Sequence, residues 1–460
     1  MSQWRRQRGL KACHPERGEG PIRAASREES EGDMALATIR TMTGQMLERV
    51  AEAGNLLRAF KRVKSNKGAP GVDGMTVDEL GVWVDAQLEE LRSDLLSERY
   101  FPTEVRGKAI RKSGGGERLL GIPTVLDRLV QQALLQELEA VFDPGFSESS
   151  YGFRPGRSAH DALKSGASYA KEGRVIVVDL DLEKFFDRVN HDVLMGRIAR
   201  KVTDKRILRL IRRFLNAGMM LDGVCVTRDE GTPQGGPLSP LLANILLDDL
   251  DKELERRGHK FCRYADDVNI YVYTQKAGER VMSSVTRFLE KRLRLRVNRE
   301  KSAVDYVGNR KFLGYRILGG KGLGVHPKSV SRFKDRVRRI TRRNRGRSLP
   351  VVVEELTRYL RGWLGYFRYG MVKTLLPELD QWVRRKLRCY RLKQLKRAKT
   401  IADFLRSRGV GEDASWMLGG SGKGWWRLSK TRQLHKAMGL DWFSEIGLYN
   451  LSDHYARLST

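Results

Sequence analysis

The sequence predicts an α+β protein in which helices and antiparallel hairpins fill the chain to about residue 326, followed by a basic helical tail. Three observations predict this. Stretches with apolar residues at three-to-four spacing, the mark of amphipathic helices, alternate with short β-branched runs. Several of those runs come in pairs around a Gly-rich or acidic turn, the pattern of a hairpin. Past Pro327 the strand signals stop: residues 332–347 hold nine Lys or Arg against one acid, Asp335, and residues 384–399 hold nine and no acid.

Taken in order, Met1 to Asp33 is rich in Arg, Glu, Gly and Ser and has no apolar h-region. It reads as a disordered extension and not a secretory signal, with Met34 an alternative start. Helical periodicity runs from near Leu36 to about Lys64, and a turn follows at Lys67-Gly-Ala-Pro-Gly-Val-Asp-Gly74. Helix returns over Val77 to Leu96. Val105 to Arg111 and Arg118 to Ile122 form a hairpin around Ser113-Gly-Gly-Gly116. Asp127 to Phe142 is an amphipathic helix, with Val130, Ala133, Leu134, Leu138 and Val141 on one face. Val175 to Val178 has the composition of a buried strand. A helix over Asp204 to Asn216 precedes a strand near Val224. Ser239-Pro240 starts a helix that Gly258 ends. Phe261 to Val272 is a hairpin, Ala277 to Leu293 a helix, and Phe312 to Val325 a last hairpin. Domain changes fall near residues 326 and 384.

The formal net charge is +31 and the pI about 10.2. A protein this basic meets a polyanion, most often nucleic acid, although ribosome-like and membrane-surface proteins share the composition. The four cysteines, Cys13, Cys225, Cys262 and Cys389, show no C-x-x-C spacing. Neither a zinc ribbon nor a disulfide framework is indicated, and a reducing cytoplasm fits. No stretch approaches the roughly 20 apolar residues of a membrane span.

The sharpest chemical feature is Tyr264-Ala265-Asp266-Asp267, followed by apolar β-formers from Val268 to Val272. Adjacent carboxylates in a hairpin turn repel each other unless a cation holds them. Upstream, Val178-Asp179-Leu180-Asp181 follows a buried strand that can bring a carboxylate beside the hairpin. Three carboxylates from two strand ends make a hard-oxygen site suited to Mg²⁺. Two such ions about 4 Å apart can activate a 3′-hydroxyl and stabilise a leaving pyrophosphate. The bland alternatives are a solvated acidic turn and, for Asp179, a pairing with a nearby Arg. The glycine runs 319–324 and 419–424 lack the surroundings of a dinucleotide loop and a P-loop. The histidines lack metal spacing, and His191 reads as structural.

These residues stand among blocks that resemble the reverse transcriptases and maturases of group II introns, especially the bacterial class C type without an endonuclease domain. Gly68 to Gly74 resembles the family's opening block. Arg118-Leu-Leu-Gly-Ile-Pro123 and Tyr151-Gly-Phe-Arg-Pro-Gly156 resemble the second, and Asp181-Leu-Glu-Lys-Phe-Phe-Asp187 the first catalytic block. Gly231-Thr-Pro-Gln-Gly-Gly-Pro-Leu-Ser239, Tyr264 to Asp267 and Leu313-Gly-Tyr315 follow in family order.

The resemblance implies a right-hand polymerase with fingers, palm and thumb, the palm built on an antiparallel sheet. Fingers and palm take residues 34–326, a thumb or X domain 327–383, and a basic DNA-binding domain 384–460. It implies Asp181, Asp266 and Asp267 as ligands of two Mg²⁺ ions, with Mn²⁺ as a substitute, and leaves Asp179 out. Lys112 and Arg118 take the role of gripping the triphosphate, Phe185 that of the gate under the sugar, and Gln234 lines the nucleotide pocket. Gly235 and Gly236 let backbone approach the nascent base pair. Phe186 is the ring assigned to the core.

In the tail, Leu360, Trp363, Leu364 and Phe367 form an apolar face, and Arg361, Arg384, Arg385, Lys386 and Arg388 are read as a phosphate-binding surface. Trp425, Trp426 and Trp442 are read as packing residues. The segment after Cys389 has no His- and Cys-rich cluster, which in this family marks the class C type that cuts no DNA itself. The expected partners are intron RNA, target DNA and deoxynucleoside triphosphates, in a bacterial cytoplasm. The activity implied is copying of intron RNA into DNA, together with splicing and mobility of the intron. Two alternatives stay open: a domesticated enzyme working in DNA repair or template switching, and an RNA-binding maturase without need of synthesis.

Overall fold

The structure is a computed structural model that describes residues 44–111, 117–221, 224–226, 230–231 and 235–459. The N-terminal extension with Met34, the turn at 113–116, and Lys112 and Gln234 lie outside the described residues. The strands are β1 (Val105–Arg111), β2 (Glu117–Ile122), β3 (Ile176–Leu180), β4 (Met219–Leu221), β5 (Val224–Val226), β6 (Lys260–Tyr264), β7 (Asp267–Val272), β8 (Ala303–Tyr306), β9 (Tyr315–Ile317) and β10 (Leu323–Val325).

The chain forms two compact units that interleave in sequence. Of the described residues, the first takes those within 44–144, 191–226 and 235–238, and the second takes those within 145–190, 230–231 and 239–459. In the first, the expected helix to Lys64 is broken at Ala51–Glu52 into Met46–Val50 and Ala53–Asn66. The hairpin β1–β2 is antiparallel with Arg111 opposite Glu117, and β1 continues to β4 and β5 in the order β2-β1-β4-β5. Helix Val125–Phe142 begins where Thr124 Oγ1 accepts the Asp127 amide at 3.0 Å, an N-cap that satisfies an otherwise free donor. Val130, Ala133, Leu134 and Leu138 on its apolar face are wholly buried.

Several motif glycines of this unit are places where backbones touch. A Cβ on Gly71 would fall on Thr124, and one on Gly235 would fall on the Gly121 carbonyl. A Cβ on Gly236 would strike the Gln131 amide. The side-chain space of Gly235 and Gly236 is therefore filled by the protein itself, so a side chain at either position would have to displace its neighbours.

In the second unit an antiparallel sheet runs β6-β7-β3-β8. Helix Ala159–Lys171, started by a capping box between Ser158 and Asp161, lies against β6. Its Gly166 leaves room for the Tyr271 hydroxyl of β7. One hydrophobic cluster runs from Val177 and Tyr271 through Tyr315, Phe333 and Trp363 to Leu387 and Trp442. The basic helices are thus packed on the same core as the sheet. Helix Leu375–Leu395 passes through residue 384 without a break, so the change there is one of surface chemistry along a single helix. No helix among the described residues is long and apolar enough to cross a membrane.

Candidate active site

Sheet register brings the acidic motifs together. β3 and β7 pair antiparallel with Leu180 opposite Val268, so Asp181, just past β3, and Asp267, opening β7, reach the same end of the sheet. β6 and β7 pair Tyr264 with Asp267, leaving Ala265 and Asp266 as a two-residue turn. Ala265 sits at φ +57°, where glycine is the usual choice. Asp181 is anchored through its backbone, its N–H donating to Ser302 Oγ at 3.0 Å and its carbonyl accepting from Asn298 N at 2.8 Å.

The electrostatics follow from this crowding. Burial pushes the Asp267 carboxyl up to about 6, and the negative charges of Asp266, Asp179 and Asp181 push the same way. Lys311, half buried beside the site, opposes that rise, and its own ammonium is held below its usual range mainly by desolvation. Lys301 Nζ lies 3.5 Å from Asp181 Oδ1. Asp179 is paired, accepting from Arg310 Nε at 2.8 Å and Nη2 at 2.6 Å. It takes the pairing role that the sequence left open.

Beneath the turn lies a buried ion pair. Arg263 and Asp251 have fully buried side chains, with Arg263 Nε 2.8 Å and 2.9 Å from the two carboxylate oxygens. The other guanidinium nitrogens donate to Asn244 Oδ1 at 2.8 Å, Ser150 Oγ at 2.7 Å and the Ala265 carbonyl at 3.1 Å. Asn244 in turn donates to the Gly152 carbonyl at 2.9 Å. Gly152 is pressed onto the turn, because a Cβ there would fall on the Ala265 nitrogen. One arginine thus ties helix Ser239–Arg256, the Ser149–Gly152 segment and the acidic turn into one body.

Asp181, Asp266 and Asp267 are the predicted residues that the fold gathers. Arg118 lies on β2 opposite Ile110, while Lys112 and Gln234 lie outside the described residues. The two phenylalanines exchange places relative to expectation. Phe185 is 3% exposed and belongs to the core, whereas Phe186 is only half buried, its ring edge-on to Phe185 at 5.1 Å. Successive residues of this 3-10 turn point about 120° apart, so Phe185 turns inward, Phe186 to the side and Asp187 to solvent, which spacing alone does not reveal.

The tail needs a second correction. Arg388 is buried and donates to the Met438 carbonyl at 3.1 Å and 2.9 Å, so it holds the fold and meets no phosphate. Arg385 lies 3.4 Å from the centre of the Trp426 ring and donates to the Trp426 carbonyl at 2.8 Å. Lys386 lies over both Trp382 and Trp426. Arg361 is exposed above Tyr449, and Arg384 is half buried. Trp442 packs the interior as expected, but Trp426 stays 42% exposed beneath its cations.

Sequence reading missed Lys301, Lys311 and the Arg263 network. A signal for the last was present, since an arginine inside an otherwise apolar strand must find an acid.

Comparison with known proteins decides the family. The reverse transcriptase (RNA-dependent DNA polymerase) family matches residues 110–317, and the group II intron maturase-specific domain matches residues 330–409. Protein YkfC of Escherichia coli (strain K12) is 34% identical over 316 residues, covering 60% of this chain and 83% of that protein. The chain belongs to the group II intron reverse transcriptases and maturases. As a member it carries a reverse transcriptase domain followed by a maturase-specific one. The group II intron-encoded protein LtrA of Lactococcus lactis subsp. cremoris is 38% identical over 212 residues, 45% of this chain and 34% of LtrA. An uncharacterized 91 kDa protein in the cob intron of Schizosaccharomyces pombe is 38% identical over 206 residues, 45% of this chain and 25% of that protein. The chain therefore spans most of YkfC but about a third or less of the other two.

Proposed function

We propose that this reverse transcriptase is an active RNA-directed DNA polymerase that copies group II intron RNA and helps that RNA splice and move. The observation that carries the reading is the gathering of Asp181, Asp266 and Asp267 at one sheet end by strand register; desolvation, with the neighbouring negative charges adding to it, pushes Asp267 up to about 6. The donors are hard oxygens whose mutual repulsion a cation would relieve, which suits Mg²⁺. Among the described residues no three His, Cys, Asp or Glu side chains are already gathered as a metal-holding group, so the reading rests on the donor chemistry and on the register that brings the three aspartates to one sheet end.

Asp181, Asp266 and Asp267 would hold two Mg²⁺ ions, with Mn²⁺ able to substitute. Bound ions would supply charge neutralisation at the reacting phosphate and lower the proton affinity of the primer hydroxyl. The protein's own part is positional. The two-residue turn fixes Asp266 against Asp267, and Ser302 and Asn298 fix the backbone of Asp181. Phe186, as the more open ring, takes the sugar-gate role in place of Phe185. The nucleotide-gripping roles of Lys112, Arg118 and Gln234 rest on the resemblance.

A right-hand arrangement is part of the same reading. Fingers and palm would lie within 34–326, a thumb or X domain in 327–383 and a DNA-binding domain in 384–460, with the maturase-specific match beginning at residue 330 in support. Intron RNA, target DNA and deoxynucleoside triphosphates would be the partners, and a bacterial cytoplasm the location. The test is primer extension on an RNA template with Mg²⁺. Asp266→Asn and Asp181→Asn should each lower the rate at least about a hundredfold, since each removes a metal ligand. RNA affinity should change little. Extension near the wild-type rate by Asp266→Asn would overturn the assignment.

A further inference from the structure

Phe153 lies in the Tyr151-Gly152-Phe153-Arg154 segment against the acidic turn, and three observations make it unusual. Its backbone is left-handed at φ +58°, where a bulky L-residue is strained. The residue is 51% exposed, so burial does not repay that strain. The residues on both sides are tied down. Tyr151 N donates to the Arg263 carbonyl at 2.9 Å, and Gly152 abuts Ala265. Buried Arg154 donates to the Ser147 carbonyl at 2.6 Å and the Ser150 carbonyl at 3.1 Å. Fixed on both flanks, the segment presents the Phe153 ring beside Tyr264, 6.4 Å between centres and tilted by 41°. Strain of this kind persists where the surroundings over-determine it, and it gathers at functional sites.

We propose that Phe153, paired with Tyr264, is a substrate-contacting residue against which the 3′-terminal nucleotide of the primer strand stacks. The inference rests on the polymerase reading. Tyr264 leads directly into the turn that carries Asp266 and Asp267. Those carboxylates address the primer's 3′-hydroxyl, so the nucleotide bearing that hydroxyl is the one brought nearest Tyr264 and its neighbour. Aromatic faces stack on any base, which suits an enzyme that must extend every sequence. The Arg263 network holds Gly152 and Ala265 in common, so ring and carboxylates keep one spacing.

The experiment compares Phe153→Gly, Phe153→Leu and Phe153→Tyr in the full chain. Phe153→Gly removes the ring and suits the left-handed backbone, so thermal stability should hold or rise. Its affinity for a primer–template duplex should weaken by about 5- to 150-fold, the range of one lost base stack. The KM for nucleotide should stay near wild type. Phe153→Tyr should retain affinity, and Phe153→Leu should fall between. A primer carrying 5-iodo-deoxyuridine at its 3′ end should crosslink to the wild-type protein and lose that crosslink in Phe153→Gly. Wild-type duplex affinity in Phe153→Gly, or a crosslink that survives in it, would overturn the proposal, as would a crosslink formed only by the template strand. Binding and crosslinking are read without catalysis. A wild-type protein that binds and crosslinks but fails to extend would count against the polymerase reading alone.

Discussion

At the scale of single residues, the acidic end of the sheet carries a cost that metal would reverse. Asp267 is raised from the ordinary carboxylate range to about 6 by desolvation and by Asp266, Asp179 and Asp181. A carboxyl raised on folding binds more protons in the native state, so stability falls as pH rises through the window from about 4 to about 6. Asp267→Asn should therefore stabilise the metal-free protein at pH 8. The gain should be about 1 kcal/mol, because the outer side of the residue is open to solvent. The gain should vanish near pH 4, and thermal unfolding at both pH values checks it. Adding Mg²⁺ at pH 8 should stabilise the wild type and not the variant.

The two phenylalanines give a second prediction at this scale. Phe186→Ala should admit ribonucleotides far more readily, read as the ratio of ribonucleotide to deoxynucleotide incorporation. Phe185→Ala should instead lose roughly 3–5 kcal/mol of stability, as a large buried ring does. The opposite pattern would return the gate to Phe185.

At the scale of elements, the acidic hairpin is held in place by the buried Arg263–Asp251 pair. Breaking such a pair from one side leaves an uncompensated charge and costs about 3–5 kcal/mol. Asp251→Asn and Arg263→Met should each be destabilised to that degree in denaturant unfolding. The double variant Asp251→Leu with Arg263→Met should recover a large part of the loss, because no charge remains buried. Catalysis should stay low in the double variant, since the Ala265 carbonyl and Asn244 lose the donor that aligns the turn. Full catalytic recovery would show that the pair only stabilises the fold.

The hairpins β1–β2 and β6–β7 were legible because turn residues and β-branched runs are local signals. Strand β8 and helix Ala159–Lys171 were missed. The strand is only four residues long and carries little local signal; the helix did carry one, the Ser158–Asp161 capping box, which sequence reading passed over.

At the scale of the whole molecule, the charge of +31 is divided between cations free to meet a polyanion and cations used by the fold. Arg361→Gln with Arg384→Gln should flatten the log–log salt dependence of RNA binding, by up to about 0.9 per lost duplex contact. Arg388→Gln should leave that slope alone and destabilise the protein, because its guanidinium caps the Met438 carbonyl in the interior. Filter binding across a salt series and thermal unfolding separate the two outcomes. The sequence by itself determined the family, the alternation of helix and hairpin, the choice of the three carboxylates as candidates and the basic character of the tail. All of these reside in local pattern and in the order of motifs along the chain. Only the tertiary structure decided which of two neighbouring rings is buried and which arginine of the tail is spent inside. It also decided that Asp179 belongs to Arg310 and that Arg263 underlies the acidic turn. Burial and ion pairing depend on what the fold brings together, from more than a hundred residues away for Asp179 and Arg310 and for Arg263 and Ser150, and adjacent positions that look alike in sequence meet different environments there.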